Sequence, residues 1–162
     1  MNRGLEVSPV TLALVIGMAA RAQTPRVNPV CERLLPAAVV GRVGGEPQAA
    51  LIPPDPSVGA GGDCNYAADP SAPKKAVILL ANINENATHA NFAASAAQGG
   101  QQPIAGLGDE AVASQTIVTA RKGRLLVVLS SFTKVDLNTW ATKPYFTRAQ
   151  LLDLARQVLS KT

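Results

Sequence analysis

The stretch AVASQTIVTARKGRLLVVLSSF, Ala111–Phe132, decides the fold of this chain. Its two halves, Ala111–Arg121 and Arg124–Phe132, are rich in β-branched and aliphatic residues, which favour extended strands. Lys122-Gly123 between them is a turn signal, because glycine adopts the left-handed backbone that tight hairpins need. The stretch therefore predicts two antiparallel strands joined at Lys122-Gly123.

The residues upstream of this hairpin predict another strand and a helix. Lys75–Ile83 is largely aliphatic, and such a run between turn signals is typical of a central strand. Asn86–Gln98 is rich in alanine and is followed by Gly99-Gly100, which predicts a helix. Gly106–Glu110 (GLGDE) resembles a phosphate-binding loop only superficially, because it lacks the third glycine and the Lys-Ser/Thr pair and a strand follows it. We interpret it as a tight turn.

The chain closes with a clearly signalled helix. Thr147 and Gln150 have the spacing of a capping box, and Phe146 and Leu151 that of a hydrophobic staple. The apolar residues that follow share one helical face, which predicts a helix laid across a sheet. They are Leu151, Leu154, Ala155 and Val158, reinforced by Leu152 and Leu159.

The segment around the first cysteine predicts two short helices. Asn28 is a favourable helix cap, and Pro29 is favourable at the first helical position. Pro36 interrupts this helix and begins a second one, which ends at Gly44-Gly45.

The next segment predicts a loop and two short strands. Glu46–Asp63 is rich in proline and glycine, with a short edge strand at Ala49–Ile52, and Cys64–Ala67 reads as a second strand. Taken in chain order, these elements predict an α+β fold, in which helices pack on an antiparallel sheet.

The first residues predict an export signal. A polar start with Arg3 precedes the apolar run Val10–Ala20, and Ala20-Arg21-Ala22 offers small residues at the two positions that a signal peptidase inspects. Such a run spans about 16 Å as a helix, against about 30 Å for a bilayer core, which disfavours the alternative of an uncleaved anchor. We predict a signal peptide over 1–22, cleaved after Ala22, and a single α+β domain over 23–162 without a transmembrane segment.

Cys31 and Cys64 are the two cysteines of the chain, and cysteines of an exported domain most simply pair. A disulfide between them would stabilise the fold by roughly 3–4 kcal/mol in the chain-entropy model. The alternatives are a lipid-modified Cys31, although Asn28-Pro29-Val30 lacks the small residues of a lipobox, and a metal site, which would need more ligands than His89 supplies.

Composition narrows the possible functions. Hydrophobic residues make up 47% of the chain, which supports a buried core and excludes wholesale disorder. The net charge of +4 is ordinary for a globular domain and is not the concentrated positive charge of a nucleic-acid-binding protein. We expect no nucleic-acid partner, no metal and no cofactor.

Residues capable of catalysis do not form a recognisable set in the sequence. Asp109 and Glu110 are neighbours, and neighbours on a strand point to opposite faces, so they are not expected to share acid and base roles. Ser130-Ser131 lacks a Gly-x-Ser-x-Gly context. His89, the single histidine, is expected on the exposed side of its helix without an orienting partner.

Arg121, Lys122 and Arg124 form the first candidate for binding. They cluster at the hairpin turn, where they can touch an anionic surface such as phospholipid. Charged hairpin tips are usually only solvated, however, and this is the interpretation that we favour.

The second candidate is Trp140 with Tyr145. The segment 138–146 holds three of the six aromatic residues of the chain, and exposed aromatic residues stack on sugars or anchor a partner. We favour a structural role, with Phe146 in the staple and Trp140 covering the open edge of the core, because aromatic residues are scarce.

Several short motifs along the chain resemble those of one family. They are Cys31-x-x-Leu34-Leu35-Pro36-x-x-Val39 ending at Gly44, Gly62-Asp63-Cys64-Asn65-Tyr66, Gly106-Leu107-Gly108-Asp109-Glu110-Ala111, the Lys122-Gly123 hairpin and the closing helix Leu151–Leu159. In them the chain resembles cysteine-paired bacterial cell-envelope proteins and lipoproteins of unknown function, best known from actinobacteria. The resemblance implies a disulfide, a Mog1/PsbP-like α+β fold and residence at the cell envelope, and it brings no active site. The chain lacks a lipobox, which favours a periplasmic or secreted form.

These observations predict an exported, non-enzymatic binding module whose partner is an envelope protein, lipid or glycan. The alternative is a small hydrolase or transferase of envelope polymers that uses Asp109, Glu110 or His89. The two differ in whether at least two of these three side chains converge in a polar pocket.

Overall fold

The computed structural model describes residues 26–54, 63–71, 76–98, 100–135 and 138–161. Within these ranges the chain has the predicted α+β fold, with four helices, a seven-stranded antiparallel sheet and a separate two-stranded sheet. The helices are α1 (Pro29–Leu34), α2 (Ala37–Gly44), α3 (His89–Ala96) and α4 (Arg148–Leu159). The strands are β1 (Ala50–Ile52), β2 (Cys64–Ala67), β3 (Val77–Asn84), β4 (Gln102–Pro103), β5 (Glu110–Ala113), β6 (Ile117–Lys122), β7 (Leu125–Ser131), β8 (Thr133–Val135) and β9 (Thr142–Pro144).

The large sheet has the order β1-β2-β3-β7-β6-β5-β4, and the predicted hairpin joins β6 to β7. Lys122 pairs with Leu125 across the turn, and Gly123 has φ 57°, the left-handed conformation that the turn requires. β3 lies beside β7, so the aliphatic run upstream of the hairpin is a central strand, as predicted.

The prediction of one continuous strand over Ala111–Arg121 is wrong. A turn divides this stretch into β5 and β6, which pair with each other. The hydroxyl of Ser114 accepts hydrogen bonds from the N–H groups of Thr116 at 3.3 Å and Ile117 at 3.0 Å. A short polar side chain that bonds to nearby backbone in this way stabilises a turn in place of a strand.

The two faces of the sheet carry different helices. Along β7, Val127 and Leu129 belong to the main core, which also holds the apolar face of α4 and residues of α1 and α2. Leu126 and Val128 point to the other face, where Phe92 of α3 packs on them. Helix α3 begins at His89 rather than Asn86, because Thr88 is its cap and accepts a hydrogen bond from the Asn91 N–H.

The predicted cap of α4 is confirmed. The Thr147 side chain accepts a hydrogen bond from the Gln150 N–H, and the Gln150 side chain accepts one from the Thr147 N–H. Phe146 and Leu151, the proposed staple, are both fully buried in the main core. Asn28 caps α1 as predicted, with its side chain bonded to the Val30 N–H.

The disulfide between Cys31 and Cys64 is present and ties α1 to β2. Its Cα atoms lie 5.6 Å apart and both residues are fully buried. A second link runs parallel to it, since the buried Tyr66 hydroxyl donates to the Leu35 carbonyl at 2.5 Å. Burial raises the pKa of the Tyr66 phenol, so this hydroxyl stays protonated as a donor.

The predicted signal peptide, 1–22, and its cleavage after Ala22 lie outside the described residues. In the ranges that the structure describes, no helix is both long enough and apolar enough to cross a membrane.

Candidate functional site

The two-stranded sheet formed by β8 and β9 presents the most exposed apolar surface of the described chain. We call residues 133–135 and 138–144 the β8–β9 hairpin. Among the described residues, the large apolar side chains that stand exposed are Val135, at 50%, and Trp140, at 77%, and both belong to this hairpin.

Trp140 does not cover the core, so the structural role favoured from the sequence is wrong for this residue. Its backbone has φ 57°, a left-handed conformation that a bulky side chain rarely adopts. Phe146 does take the predicted structural role and is fully buried. Phe146 therefore fills the core position that the staple requires, and the Trp140 ring is exposed to solvent.

Two lysines face each other in this hairpin. Lys134 of β8 is paired in register with Lys143 of β9, and both are exposed. Like charges at directly opposed positions destabilise a strand pair. The Lys134 ammonium lies 5.1 Å from the centre of the Tyr145 ring and 3.9 Å from a Glu46 carboxylate oxygen, so it is only partly compensated.

Both lysines also line a surface cleft of about 340 Å³. Val135 and Ala141 complete its lining. The cleft thus combines two lysines with two apolar residues. This lining suits a ligand that has an anionic group beside an apolar part.

The base of the hairpin is fixed to the main fold. The Tyr145 N–H donates to the Phe132 carbonyl at 2.8 Å, and the Phe146 N–H donates to the Ser131 hydroxyl at 3.0 Å. These hydrogen bonds and the burial of Phe146 hold the base of the hairpin on the main fold, while Trp140 remains exposed.

The basic cluster predicted at the β6–β7 turn is engaged within the protein. Arg121 is largely buried, and its Nε donates to Glu110 Oε2 at 2.6 Å. Lys122 Nζ donates to the Leu159 carbonyl at 3.2 Å, and Arg124 donates to the side chain of Asn86 at 2.8 Å. The structure therefore uses these cations to hold the turn against α4 and against the end of β3.

Arg121 contacts both Asp109 and Glu110. Asp109 precedes β5 and lies in a loop, so the strand alternation does not apply to it. Its Oδ2 lies 3.8 Å from Arg121 Nη1 and accepts the Gly123 N–H at 2.7 Å. The Gly106–Gly108 stretch before it is the predicted tight turn, with φ values of 77° and 67° at its two glycines.

His89 has an orienting partner that the sequence did not reveal. It is exposed, as predicted, but its Nδ1 lies 2.5 Å from Glu110 Oε1. The hydrogen bond from Arg121 lowers the pKa of Glu110 below its ordinary value of 4.5, and desolvation opposes this less strongly than Arg121 and His89 together promote it. No local signal could have found this pair, because it depends on where α3 packs on the face of the sheet.

Two clefts flank the β6–β7 turn, with volumes of about 370 and 590 Å³. Asp109 and Lys122 line both, whereas His89 and Glu110 line neither. Two of the three side chains named for an enzyme therefore touch each other on an exposed surface and do not face these clefts. In the described part of the chain, no group of three or more His, Cys, Asp and Glu side chains could hold a metal ion.

Compared with protein-family models, curated proteins and solved structures, the chain matches none. The resemblance to the cysteine-paired envelope proteins thus depends on the short motifs alone.

Proposed function

We propose that this chain is an exported, non-enzymatic binding domain of the cell envelope, either periplasmic or secreted, and that the β8–β9 hairpin is its contact surface. One observation carries the proposal: Trp140 is 77% exposed in left-handed backbone, at the end of a hairpin whose base is buried. Holding a large side chain in such backbone costs about 1–3 kcal/mol, which is characteristic of residues placed for function.

Two features support the location. The leader over 1–22 has the order of a secretory signal, and the Cys31–Cys64 disulfide is of a kind that persists in oxidising compartments. The likeness to cysteine-paired envelope proteins points the same way. Recovery of the protein from native host fractions tests this, because we expect it outside the cytoplasm, with an N-terminus at Gln23 and no free thiol.

Binding is tested by co-sedimentation with envelope fragments of the native host. We expect Trp140→Ser to reduce the bound fraction at least tenfold, because the exposed ring supplies the largest contact area of the hairpin. Arg42→Ser is the matched control, since Arg42 is exposed on α2, away from the hairpin in sequence. Equal binding of the Trp140→Ser variant and the wild type would refute the hairpin as the contact surface.

The contact between His89 and Glu110 favours one second candidate, a hydrolase or transferase of envelope polymers. A carboxylate bonded to Nδ1 orients an imidazole so that its Nε2 can act as a base. Neither His89 nor Glu110 lines the two clefts at the β6–β7 turn, which makes this candidate the weaker one. Mass spectrometry of envelope polymers incubated with the protein tests this candidate. Fragment release that is lost in Glu110→Gln and retained in Glu32→Gln would establish it.

A further inference from the structure

We infer that the β8–β9 hairpin docks on the surface of an anionic phospholipid bilayer, with Trp140 in the headgroup layer and Lys134 and Lys143 against lipid phosphates. The inference rests on the proposed function and names the partner of that surface. It is carried by the chemistry of the hairpin, taken in three steps.

The first step is the charge. Lys134 and Lys143 repel each other across the strand pair in the protein alone. An anionic surface attracts both lysines and so offsets that repulsion, and each lysine close to such a membrane strengthens binding about fivefold. Lys134 and Lys143 are the charged residues of the hairpin as described, so its own charge is positive, and Glu46, 3.9 Å from Lys134, offsets it only in part.

The second step is the apolar component. Val135 and Trp140 are exposed in the same hairpin as the lysines, and Val135 and Ala141 line a cleft together with Lys134 and Lys143. Tryptophan is enriched at the boundary between headgroups and acyl chains, where its ring is partly buried and its N–H stays hydrated. Lysine stems bury their methylene groups there while the charge remains in water.

The third step is the size of the surface. β8 and β9 are three residues each, and a stable protein interface buries about 800 Å² on each partner. A hairpin with strands of three residues offers a small contact area for a protein partner. Binding to a lipid headgroup layer does not require a partner surface of complementary shape. Lys122 and Arg124 are also exposed, at the β6–β7 turn, but among the described residues no large apolar side chain is exposed beside them. Charge and apolar exposure therefore coincide at the β8–β9 hairpin.

The test uses the intrinsic fluorescence of Trp140, the single tryptophan of the chain. The protein is titrated with vesicles of phosphatidylcholine alone and of phosphatidylcholine mixed with phosphatidylglycerol. We expect a blue shift of the emission, and quenching by lipids brominated on the acyl chains, with the anionic vesicles only. Added salt should weaken both signals. Since the probe is Trp140 itself, the readout reports on the hairpin even where the leader is retained.

Three double variants test the contribution of charge. We expect Lys134→Gln with Lys143→Gln to weaken vesicle binding about 25-fold, the product of about fivefold for each lysine. The matched control removes the same charge elsewhere, as Arg42→Gln with Arg156→Gln, and should stay within about twofold of wild type if the hairpin lysines contact the lipid. The double variant Lys134→Arg, Lys143→Arg keeps both positive charges and should retain binding. Its behaviour distinguishes an effect of lost charge from an effect of disturbed folding.

Several results would overturn the inference. One is an equal fluorescence response to neutral and anionic vesicles, and another is the absence of any Trp140 response to vesicles. A third is that Arg42→Gln with Arg156→Gln weakens vesicle binding as much as Lys134→Gln with Lys143→Gln does. If vesicles fail while co-sedimentation with envelope fragments still depends on Trp140, a glycan or protein is the partner and the proposed function stands. If Trp140 affects neither assay, both proposals fail.

Discussion

Gly44, the last residue of α2, lies against the ring of Phe146. A Cβ at position 44 would stand 2.7 Å from both Cε1 and Cζ of that ring, closer than packed atoms approach. A hydrogen bond at 2.6 Å, from the Gln150 side chain to the Val43 carbonyl, joins the same two parts of the chain. The end of α2 therefore fixes the start of α4, and with it the base of the β8–β9 hairpin.

Replacing Gly44 by alanine should destabilise the protein. The added methyl must displace a fully buried ring, at about 1–3 kcal/mol, which outweighs the gain of about 0.5–1 kcal/mol from a better helix former. We expect a net loss of about 1–2 kcal/mol in the free energy of unfolding, measured with denaturant. The same substitution in a Phe146→Leu background should cost less, and a neutral Gly44→Ala variant would contradict the contact.

Reduction of the Cys31–Cys64 disulfide should lower the melting temperature. The bond closes a loop with a sequence separation of 33, and its loss costs roughly 3–4 kcal/mol in the chain-entropy model. For a domain of this size we expect a fall of about 10 °C in thermal melts with reductant. A Cys31→Ala, Cys64→Ala variant should melt at the lower temperature whether or not reductant is present; a wild-type melt insensitive to reductant would argue against this contribution.

Removal of the α4 cap should cost about 1 kcal/mol, the usual loss when threonine at this position becomes alanine. Thr147→Ala leaves the Gln150 N–H without its side-chain acceptor. Thr147→Ser keeps a hydroxyl there and should remain close to wild type in chemical denaturation. If alanine and serine variants unfold alike, the cap does not contribute as described.

Glu110 should make stability depend on pH at the acid end. Its pKa is lowered in the folded state, mainly by Arg121, so its contribution is present above the ordinary value of 4.5 and is lost as the pH falls through the folded value. Glu110→Gln should therefore differ most from wild type near neutral pH, and the difference should shrink below about pH 4. Denaturant unfolding from neutral to acid pH measures this, with Glu32→Gln, the same substitution at an exposed glutamate of α1, as the matched control. A difference that is constant with pH would contradict the ion pair.

Trp140→Gly should leave the protein as stable as before, or more so. The substitution relieves left-handed backbone at φ 57°, which costs about 1 kcal/mol or more for a residue with a Cβ, and it removes no buried contact from the core. Thermal and chemical unfolding measure the change. Destabilisation by about 3–5 kcal/mol, as for a buried tryptophan, would show that the ring is packed.

Much of the fold follows from local signals. The cap at Thr147 and the turn at Gly123 act within four residues of sequence, so pattern alone predicts them. The strands β1, β2, β3 and β7 were also predictable, and so was the stretch Ala111–Arg121 apart from its division into β5 and β6, where one serine side chain competes with the strand ladder. β4, which is two exposed residues long, was not predicted. β8 and β9 were missed because each is three residues long and mainly exposed, which leaves no apolar alternation to detect.

The sites were less predictable, because burial depends on distant residues. Trp140 and Phe146 lie six positions apart and share the same chemistry, yet one is exposed and the other fully buried. Phe146 enters the main core, where its ring lies against Gly44, a residue about a hundred positions earlier in the chain. Likewise, Glu110 meets Arg121 through strand register and meets His89 through the placement of α3.

The sequence by itself therefore predicted the α+β class, the caps of α1 and α4, the main hairpin and, in preference to two alternatives, the pairing of Cys31 with Cys64. These depend on local backbone preferences, on periodicity and on the tendency of two cysteines in an exported domain to pair. The tertiary structure alone decided which cations are neutralised at the β6–β7 turn and which lysines and aromatic ring remain exposed on the β8–β9 hairpin. Those outcomes depend on contacts between residues far apart in the chain, and no local pattern encodes them.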